Sequence, residues 1–177
     1  MESLIDVLDE QVAFEFSGRV NILDSSTGQL LGSVIVANGK VWHATYSDIS
    51  GMKALVSLYI EDQTAGKLRY IVEPEIVEGT LQSIHYPFSV LKKKLNEILD
   101  NYQESLSHRP PENIKLELKA DFIAEGEVLD QNEFRLMSVI ADYNLVSDIY
   151  KKCEMMDYEI TSSLVSLRKK GALKVLK

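Results

Sequence analysis

The first 24 residues show a helical pattern of hydrophobic positions followed by an alternating one. Leu4 and Leu8 have the spacing of one face of a short amphipathic helix, and Ser3 stands at the N-cap position. From residue 13 to residue 24 the apolar residues recur at even positions, which is the period of a half-buried strand. We expect this strand to be interrupted or bulged at Gly18. The pattern predicts a helix over residues 3–11 followed by a strand.

Two β-prone runs, residues 30–37 and 40–46, are separated only by Asn38-Gly39. This pair is preferred in a two-residue type I′ turn because both residues tolerate a positive φ. The turn predicts the cross-strand pairs Ala37–Lys40, Val36–Val41, Ile35–Trp42, Val34–His43 and Leu31–Tyr46. One face then carries Leu31, Ile35, Trp42, Ala44 and Tyr46, and the other carries Val34, Val36, Val41 and His43. Since neither face is polar, either both faces are covered or one binds a partner.

The middle of the chain alternates between helix, strand and linker patterns. Residues 50–61 have apolar positions at helical spacing, and residues 67–72 read as a strand. Another helix is predicted after Pro87, running to about Tyr102. Residues 103–113 contain Pro110-Pro111 and no periodicity, which indicates a linker.

The last part of the chain favours short helices. Ile114, Leu116 and Leu118 alternate, which predicts a strand or an extended strap, and the acidic residues 121–127 read as a solvated loop. Three helical patterns follow, and a strand is predicted over residues 172–176. Three helices and a strand of these lengths are typical of a winged-helix-type arrangement, although other helical hairpins share the pattern.

Local signals mark the ends and the buried sides of these three helices. Asp130 with Glu133 resembles a capping box, Ser147 is a second N-cap, and Gly171 closes the last helix. The first helix is expected to bury Phe134, Met137, Ile140 and Ala141, and the third to bury Ile160, Leu164 and Leu167. The third helix should leave Ser162, Ser163 and Ser166 exposed.

Composition and charge then narrow the class of protein. The 177 residues are 45% hydrophobic and carry a formal net charge of −8, which argues against a general nucleic-acid scaffold. Cys153 is the only cysteine, so a disulfide framework and a cysteine-based zinc cluster are excluded. No apolar run approaches the length of a membrane span and the start lacks a signal-peptide pattern, so we expect a cytoplasmic protein.

Four hairpin residues are candidate partner contacts: Ile35, Trp42, His43 and Tyr46. For His43 the structural interpretation is a half-buried ring beside valines, hydrogen-bonded at one nitrogen, and the alternative is a partner contact or pH sensor. A lone Trp is usually core, but Trp42 would be a good interface anchor if exposed. Both interpretations stay open at this point.

No pattern of catalytic, metal or cofactor chemistry stands out. The segment from Gly28 to Gly32 lacks the Gly-Lys-Ser/Thr of a phosphate loop, and His43, His85 and His108 are too scattered for metal ligation. We therefore expect no catalytic residues, no metal and no cofactor.

Several short motifs occur in an order that resembles the PatA N-terminal (PATAN) domain family of bacterial signalling proteins. They are Phe16-Ser17-Gly18-Arg19-Val20, the pair Gly28 and Gly32, Val36-Ala37-Asn38-Gly39-Lys40-Val41-Trp42-His43-Ala44, Gly51 with Ala54-Leu55, and Gly66-Lys67-Leu68. The resemblance covers about residues 13–74, with weaker similarity over residues 120–177. It implies a regulatory interaction module without catalytic activity, linked to motility, surface attachment or other two-component outputs.

These observations combine into one expectation. The fold should be α+β, with an antiparallel β-hairpin sheet and covering helices in residues 1–102, a linker or strap in residues 103–119, and a three-helix winged-helix-like unit in residues 120–177. The expected function is that of a non-catalytic regulator or adaptor that binds another signalling or motility protein, such as a separate receiver-domain protein. The apolar hairpin faces also allow a homodimer.

A DNA-binding regulator is the alternative function, with Arg168, Lys169 and Lys170 as the nucleic-acid contacts. In a winged helix these residues would lie on the third helix, which enters the major groove. That helix starts with Asp157-Tyr158-Glu159, and acidic residues there would repel phosphates. The sequence therefore favours protein binding over DNA binding, and contact with membranes is not expected.

Overall fold

The computed structural model describes residues 2–65, 67–77, 79 and 82–176. The chain is mixed α+β and divides into two compact units, Met1–Leu99 and Asp100–Lys177. The first contains a five-stranded sheet in which all strand pairs are antiparallel, and the second contains a two-stranded antiparallel sheet with helices. Gly66, which belongs to the last of the motifs above, lies outside the described residues.

The first unit consists of three helices and five strands within the described ranges. In chain order they are α1 (Leu4–Ala13), β1 (Gly18–Asp24), β2 (Leu30–Ala37), β3 (Lys40–Tyr46), β4 (Ile49–Ser50), α2 (Met52–Ala65), β5 (Leu68–Pro74) and α3 (Phe88–Leu106). The strand order across the sheet is β4-β3-β2-β1-β5. Helix α3 continues past residue 99 into the second unit.

Helix α1 is capped as its sequence predicts. The Ser3 hydroxyl accepts from the amide of Asp6, and the Asp6 carboxylate accepts from the amide of Ser3, which completes a capping box. Leu4 and Leu8 are fully buried. The predicted helix is confirmed, and it ends two residues later than expected.

Strand β1 is shorter than the even-position pattern predicts. Helix α1 extends to Ala13, and Glu15 has a positive φ of 53°, so the chain turns before the strand begins at Gly18. Phe14 is 75% exposed and takes no part in the strand. The predicted interruption at Gly18 is present, since β1 begins there, but the alternative of a bulge at Gly18 is wrong, because the register of β1 against β2 shifts between Ile22 and Leu23.

The β2–β3 turn is confirmed, but the register of the hairpin is only partly as predicted. Asn38 and Gly39 have φ values of 48° and 67°, as a type I′ turn requires. Near the turn the pairs are Ala37–Lys40 and Val36–Val41. Beyond Val36 a bulge adds one residue to β3, so the remaining pairs are Ile35–His43, Val34–Ala44, Ser33–Thr45 and Gly32–Tyr46.

The bulge exchanges the faces on which the outer part of β3 lies. Val34 and Ala44 now share one face with Val20 and Ile22 of β1, and all four side chains are fully buried. Helix α2 contacts β2, β3 and β4, and α1 contacts β3. The predicted grouping of Ile35 with Ala44 and Tyr46 is wrong, because the period of two restarts after the extra residue.

Helices α2 and α3 and strand β5 are present where the sequence predicts them, and each ends a few residues later than predicted. Gly51 precedes α2 with a φ of 72°, and its amide donates to the carbonyl of Ala44. Helix α3 is tied to the other helices by the Tyr59 hydroxyl, which donates to Asn96, and by an ion pair between Lys92 and Asp9. Helix α3 runs to Leu106 rather than to residue 102.

The second unit places a two-stranded sheet beside four short helices. After the end of α3 it contains β6 (Lys115–Leu118), α4 (Ala120–Glu125), α5 (Gln131–Asp142), α6 (Val146–Lys152), α7 (Asp157–Lys169) and β7 (Leu173–Leu176). Strands β6 and β7 pair antiparallel, with Leu116 opposite Val175. The predicted linker thus contains the last turn of α3 and all of β6, and residues 107–114 are irregular.

A separate core holds the second unit together. Ten buried residues form it: Leu116, Phe122, Leu136, Ile140, Val146, Ile149, Ile160, Leu164, Leu167 and Ala172. The predicted stripe of α7 is confirmed. In α5 the predicted stripe is partly confirmed, since Ile140 is buried and Met137 packs against the core. Phe134 is 64% exposed and Ala141 is also exposed, while Leu136 is fully buried in their place.

Three further predictions in the second unit need correction. Residue 145, not Ser147, is the N-cap of α6, so Ser147 lies within the helix. Helix α4 forms where a loop was expected, because Phe122 is anchored in the core. Ser163 is buried, contrary to its predicted exposure on α7.

Candidate functional site

The four hairpin candidates do not converge on one surface. Ile35 and His43 are cross-strand partners on one face of the sheet, whereas Tyr46 lies opposite Gly32 on the other face. The Nδ1 atom of His43 lies 2.7 Å from the Ser83 hydroxyl. The expected hydrogen bond at one ring nitrogen is present, but the expected valine neighbours on the same face are not, because of the bulge.

Trp42 is the extra residue of the bulge. Its carbonyl accepts from the amides of Ser83 and Ile84, at 2.8 and 2.9 Å. The indole nitrogen is buried and has no hydrogen-bond partner among the described residues. Trp42 is half-buried, so its role as an exposed interface anchor is not supported by this geometry.

Polar side chains on the His43 face of the sheet bond to one another. Arg19 donates two hydrogen bonds of 3.0 Å to the Glu75 carboxylate, and the hydroxyls of Ser33 and Thr45 lie 3.0 Å apart. The hydrogen bond from Arg19 lowers the pKa of Glu75. These pairs satisfy the polar groups of the face internally and indicate a structural role.

Burial also perturbs Tyr46 on the opposite face. It raises the pKa of the Tyr46 phenol, and the charge of Glu61 acts in the same direction. A tyrosine phenol is already neutral at physiological pH, and this shift disfavours the phenolate further, so Tyr46 is a packing residue rather than a titrating group.

The second unit contains an apolar groove, which we call the α7 groove. It has a volume of about 660 Å³ and lies between the irregular segment 107–114, helix α7 and the two strands. The residues that line it are Ser107, His108, Arg109, Pro110, Pro111, Ile114, Leu116, Leu164, Val165, Arg168, Lys169, Leu173 and Val175. Val175 is 54% exposed, so apolar surface remains accessible in the groove.

Two of the three predicted nucleic-acid contacts lie along this groove. Arg168 and Lys169 are exposed near the C-terminal end of α7 and form no ion pair with the residues that the structure describes. Arg109, also at the groove, is already paired with Asp157 at 2.8 Å and stacks over the ring of Tyr150. The uncompensated positive charge of the groove therefore comes from α7.

The third predicted contact, Lys170, is held by a buried carboxylate. Its ammonium donates to Glu133 at 2.7 Å and to the carbonyl of Val128 at 2.9 Å. The Glu133 side chain is 1% exposed and also accepts from the Ser166 hydroxyl and the Asp130 amide. Lys170 thus joins α7 to the start of α5 and is not placed as a phosphate contact.

The electrostatics of Glu133 follow from these bonds. Burial acts to raise the pKa of the Glu133 carboxyl. The hydrogen bonds from Lys170, Ser166 and the Asp130 amide outweigh burial, so the pKa lies below its ordinary value. Sequence reasoning found Glu133 as a capping residue but missed this role, since its partners lie more than 30 residues away on α7.

The structure shows no cluster suited to metal chemistry in its described part. Within residues 2–65, 67–77, 79 and 82–176, no three His, Cys, Asp or Glu side chains are placed to hold a metal ion. Among these same residues, no helix is both long enough and apolar enough to cross a membrane.

Comparisons with protein-family models, curated proteins and solved structures found no match to this chain.

Proposed function

We propose that this chain is a non-catalytic regulatory adaptor that binds a partner protein through the α7 groove. The observation that carries the proposal is the groove itself, which has apolar walls, accessible Val175 and a volume of about 660 Å³. Grooves of this size with a few polar groups at the rim are typical of sites that accept side chains of a ligand or partner. The activity would be bridging or occlusion of the partner.

The resemblance to the PATAN family supports a role in bacterial signalling. The family motif around Asn38-Gly39-Lys40-Val41 coincides with the β2–β3 turn, where both central residues have positive φ. On this basis the partner is a bacterial signalling or motility protein, such as a separate receiver-domain protein. The proposal also includes a winged-helix-like arrangement of α5, α6, α7 and β7 as the unit that presents the groove.

DNA binding by this winged-helix-like unit is the less favoured function. Arg168 and Lys169 are available, but Lys170 is occupied by Glu133. The first turn of α7, which would approach the bases, carries Asp157 and Glu159. Without a cluster of basic residues there, little affinity would come from counterion release.

Site-specific photo-crosslinking in the native cell tests the proposed function. Benzoylphenylalanine replaces Val175 in the α7 groove, and a control variant carries it at Val128, which is 85% exposed and does not line this groove. We expect a discrete protein adduct from the Val175 position that is absent from the Val128 control. Mass spectrometry of the adduct identifies the partner.

Two outcomes would overturn the proposed function. One is the absence of any protein adduct at Val175 at expression levels where the protein itself is intact. The other is an adduct to nucleic acid at Val175 together with salt-sensitive binding to duplex DNA, which would favour the DNA-binding function.

A further inference from the structure

We infer that the α7 groove receives an acidic, amphipathic segment of the partner protein, with apolar side chains in the groove and carboxylates beside Arg168 and Lys169. This inference rests on the proposed function and adds the chemistry of the partner. It is carried by the distribution of charge around an apolar floor.

The floor of the groove is apolar and is made by distant parts of the chain. Pro110 and Ile114 come from the irregular segment, Leu164 and Val165 from α7, and Val175 from β7. Leu164 is nearly buried, whereas Val175 is 54% exposed, so part of the apolar floor is accessible. Such a surface gains free energy when a partner's apolar side chain covers it.

The charge at the rim has one sign. The residues that line the groove, all of them described, include Arg109, Arg168 and Lys169 and no Asp or Glu. The pairing of Arg109 with Asp157 leaves the two basic residues of α7 as the uncompensated charges. The acidic residues beside the groove are Asp157 and Glu112, which pair with Arg109, and Glu104, which lines a neighbouring depression of about 220 Å³ that shares Lys169.

The positive charge at the groove is opposite in sign to the net charge of the whole protein. The chain has a formal net charge of −8, so a basic rim beside an apolar floor is a local exception. Complementary charge across an interface speeds association and selects the partner. A carboxylate-rich segment with apolar anchors satisfies both parts of the groove, whereas a DNA backbone would match the two cations but leave the apolar floor without a ligand group.

Selection from random peptides displayed on phage, using the full chain as bait, tests this partner chemistry. A charge-reversal variant, Arg168→Glu with Lys169→Glu, removes the basic rim. The matched control, Lys40→Glu with Lys67→Glu, makes the same charge change at two exposed residues of the first unit that do not line the groove. Circular dichroism checks that both variants are folded. Selected peptides are then synthesised and their dissociation constants are measured by fluorescence anisotropy.

The inference predicts that the selected peptides combine Asp or Glu with Leu, Phe or Trp. The charge reversal at the groove should weaken their binding about tenfold, and the control variant should leave it nearly unchanged. Replacing Val175 by Asp should weaken binding further. These three results together would support an acidic amphipathic partner.

Other results would contradict the inference in distinguishable ways. Selected peptides without acidic residues, unaffected by the Arg168/Lys169 reversal, would overturn the acidic partner while the Val175 crosslink could still support protein binding. Peptides that bind the bait equally well after the Val175→Asp change would overturn the groove as their site. No selected peptide together with no protein crosslink would overturn both the inference and the proposed function.

Discussion

Glu133 shows how a single carboxylate joins two helices of the second unit. A buried charge is tolerated only where hydrogen bonds and an opposite charge replace its hydration. Here the carboxylate caps α5 through the Asp130 amide and reaches α7 through Ser166 and Lys170. The same bonds remove Lys170 from the basic rim. Glu133 therefore acts on both the stability of the unit and the charge of the α7 groove.

Replacing Glu133 by Gln should destabilise the second unit in a pH-dependent manner. The substitution leaves Lys170 without its carboxylate partner, and we expect a loss of about 3 kcal/mol in the free energy of unfolding at neutral pH. The folded-state pKa of Glu133 lies below its ordinary value of 4.5, so its contribution is complete above that value and is lost as pH falls through the folded pKa. The difference between wild type and variant should shrink in acid.

Urea unfolding, followed by circular dichroism at several pH values, measures this difference. The control is Glu127→Gln, because Glu127 is exposed on the same unit. We expect the control to differ little from wild type at any of these pH values. An equal loss for both variants, or a Glu133→Gln loss that grows in acid, would contradict the proposed role of the buried carboxylate.

Two glycines with similar backbone angles should respond differently to alanine. Gly39 and Gly28 have φ values of 67° and 72°, so a Cβ strains both by about 1 kcal/mol. A Cβ on Gly39 would also lie 2.8 Å from the carbonyl oxygen of Val12, whereas a Cβ on Gly28 meets nothing within 4 Å. Thermal unfolding should show a larger decrease in melting temperature for Gly39→Ala. Equal decreases would mean that the hairpin tip does not pack closely on the end of α1.

At the scale of elements, the sequence predicted helix caps and tight turns, because these depend on residues that are close together in the chain. The capping box of Ser3 and the Asn38-Gly39 turn involve residues close in the chain, and both are present. The β3 bulge instead accompanies contacts from residues 83–84, about 40 positions away, to the carbonyl of Trp42. No local pattern in β3 indicates an extra residue, so a regular register was the natural prediction.

Nuclear Overhauser effects can distinguish the two registers directly. The structure predicts cross-strand contacts between backbone protons of Ile35 and His43, and between those of Val34 and Ala44. The regular register would instead place Ile35 opposite Trp42 and Val34 opposite His43. Observation of the latter pairs would show that β3 has no bulge at Trp42, and His43 would return to the valine face.

The error in α5 has a different cause. Phe134 and Leu136 both fit a helical stripe, and residue type alone favours burying the aromatic ring. Glu133 accepts hydrogen bonds from Ser166 and Lys170, and Leu136, three residues further along α5, is fully buried, whereas Phe134 is exposed. The orientation of the helix thus depends on a charged contact between helices that periodicity does not contain.

At the scale of the whole molecule, no pattern in the sequence predicted the α7 groove. Its walls come from residues 107–114, β6, α7 and β7, and the lining residues Ser107 and Val175 are 68 positions apart in the chain. The sequence predicted Arg168, Lys169 and Lys170 as DNA contacts in the alternative function, and it did not link them to an apolar surface. Only the arrangement of apolar residues beside them shows a groove, and this arrangement requires the tertiary structure.

The two units should unfold in separable steps because each has a core of its own. Trp42, the only tryptophan, reports on the first unit by fluorescence, while circular dichroism reports on the helices of both. Leu136→Ala in the second unit and Leu55→Ala in the first each truncate a fully buried side chain. Each should lower the free energy of unfolding of its unit by about 2–5 kcal/mol. We expect Leu136→Ala to lower the unfolding midpoint measured by circular dichroism and to leave the midpoint measured by fluorescence unchanged. Leu55→Ala should lower both midpoints. If Leu136→Ala shifted both transitions equally, the chain would unfold as one cooperative body, and mutations at the α7 groove would have to be interpreted as changes to the whole protein.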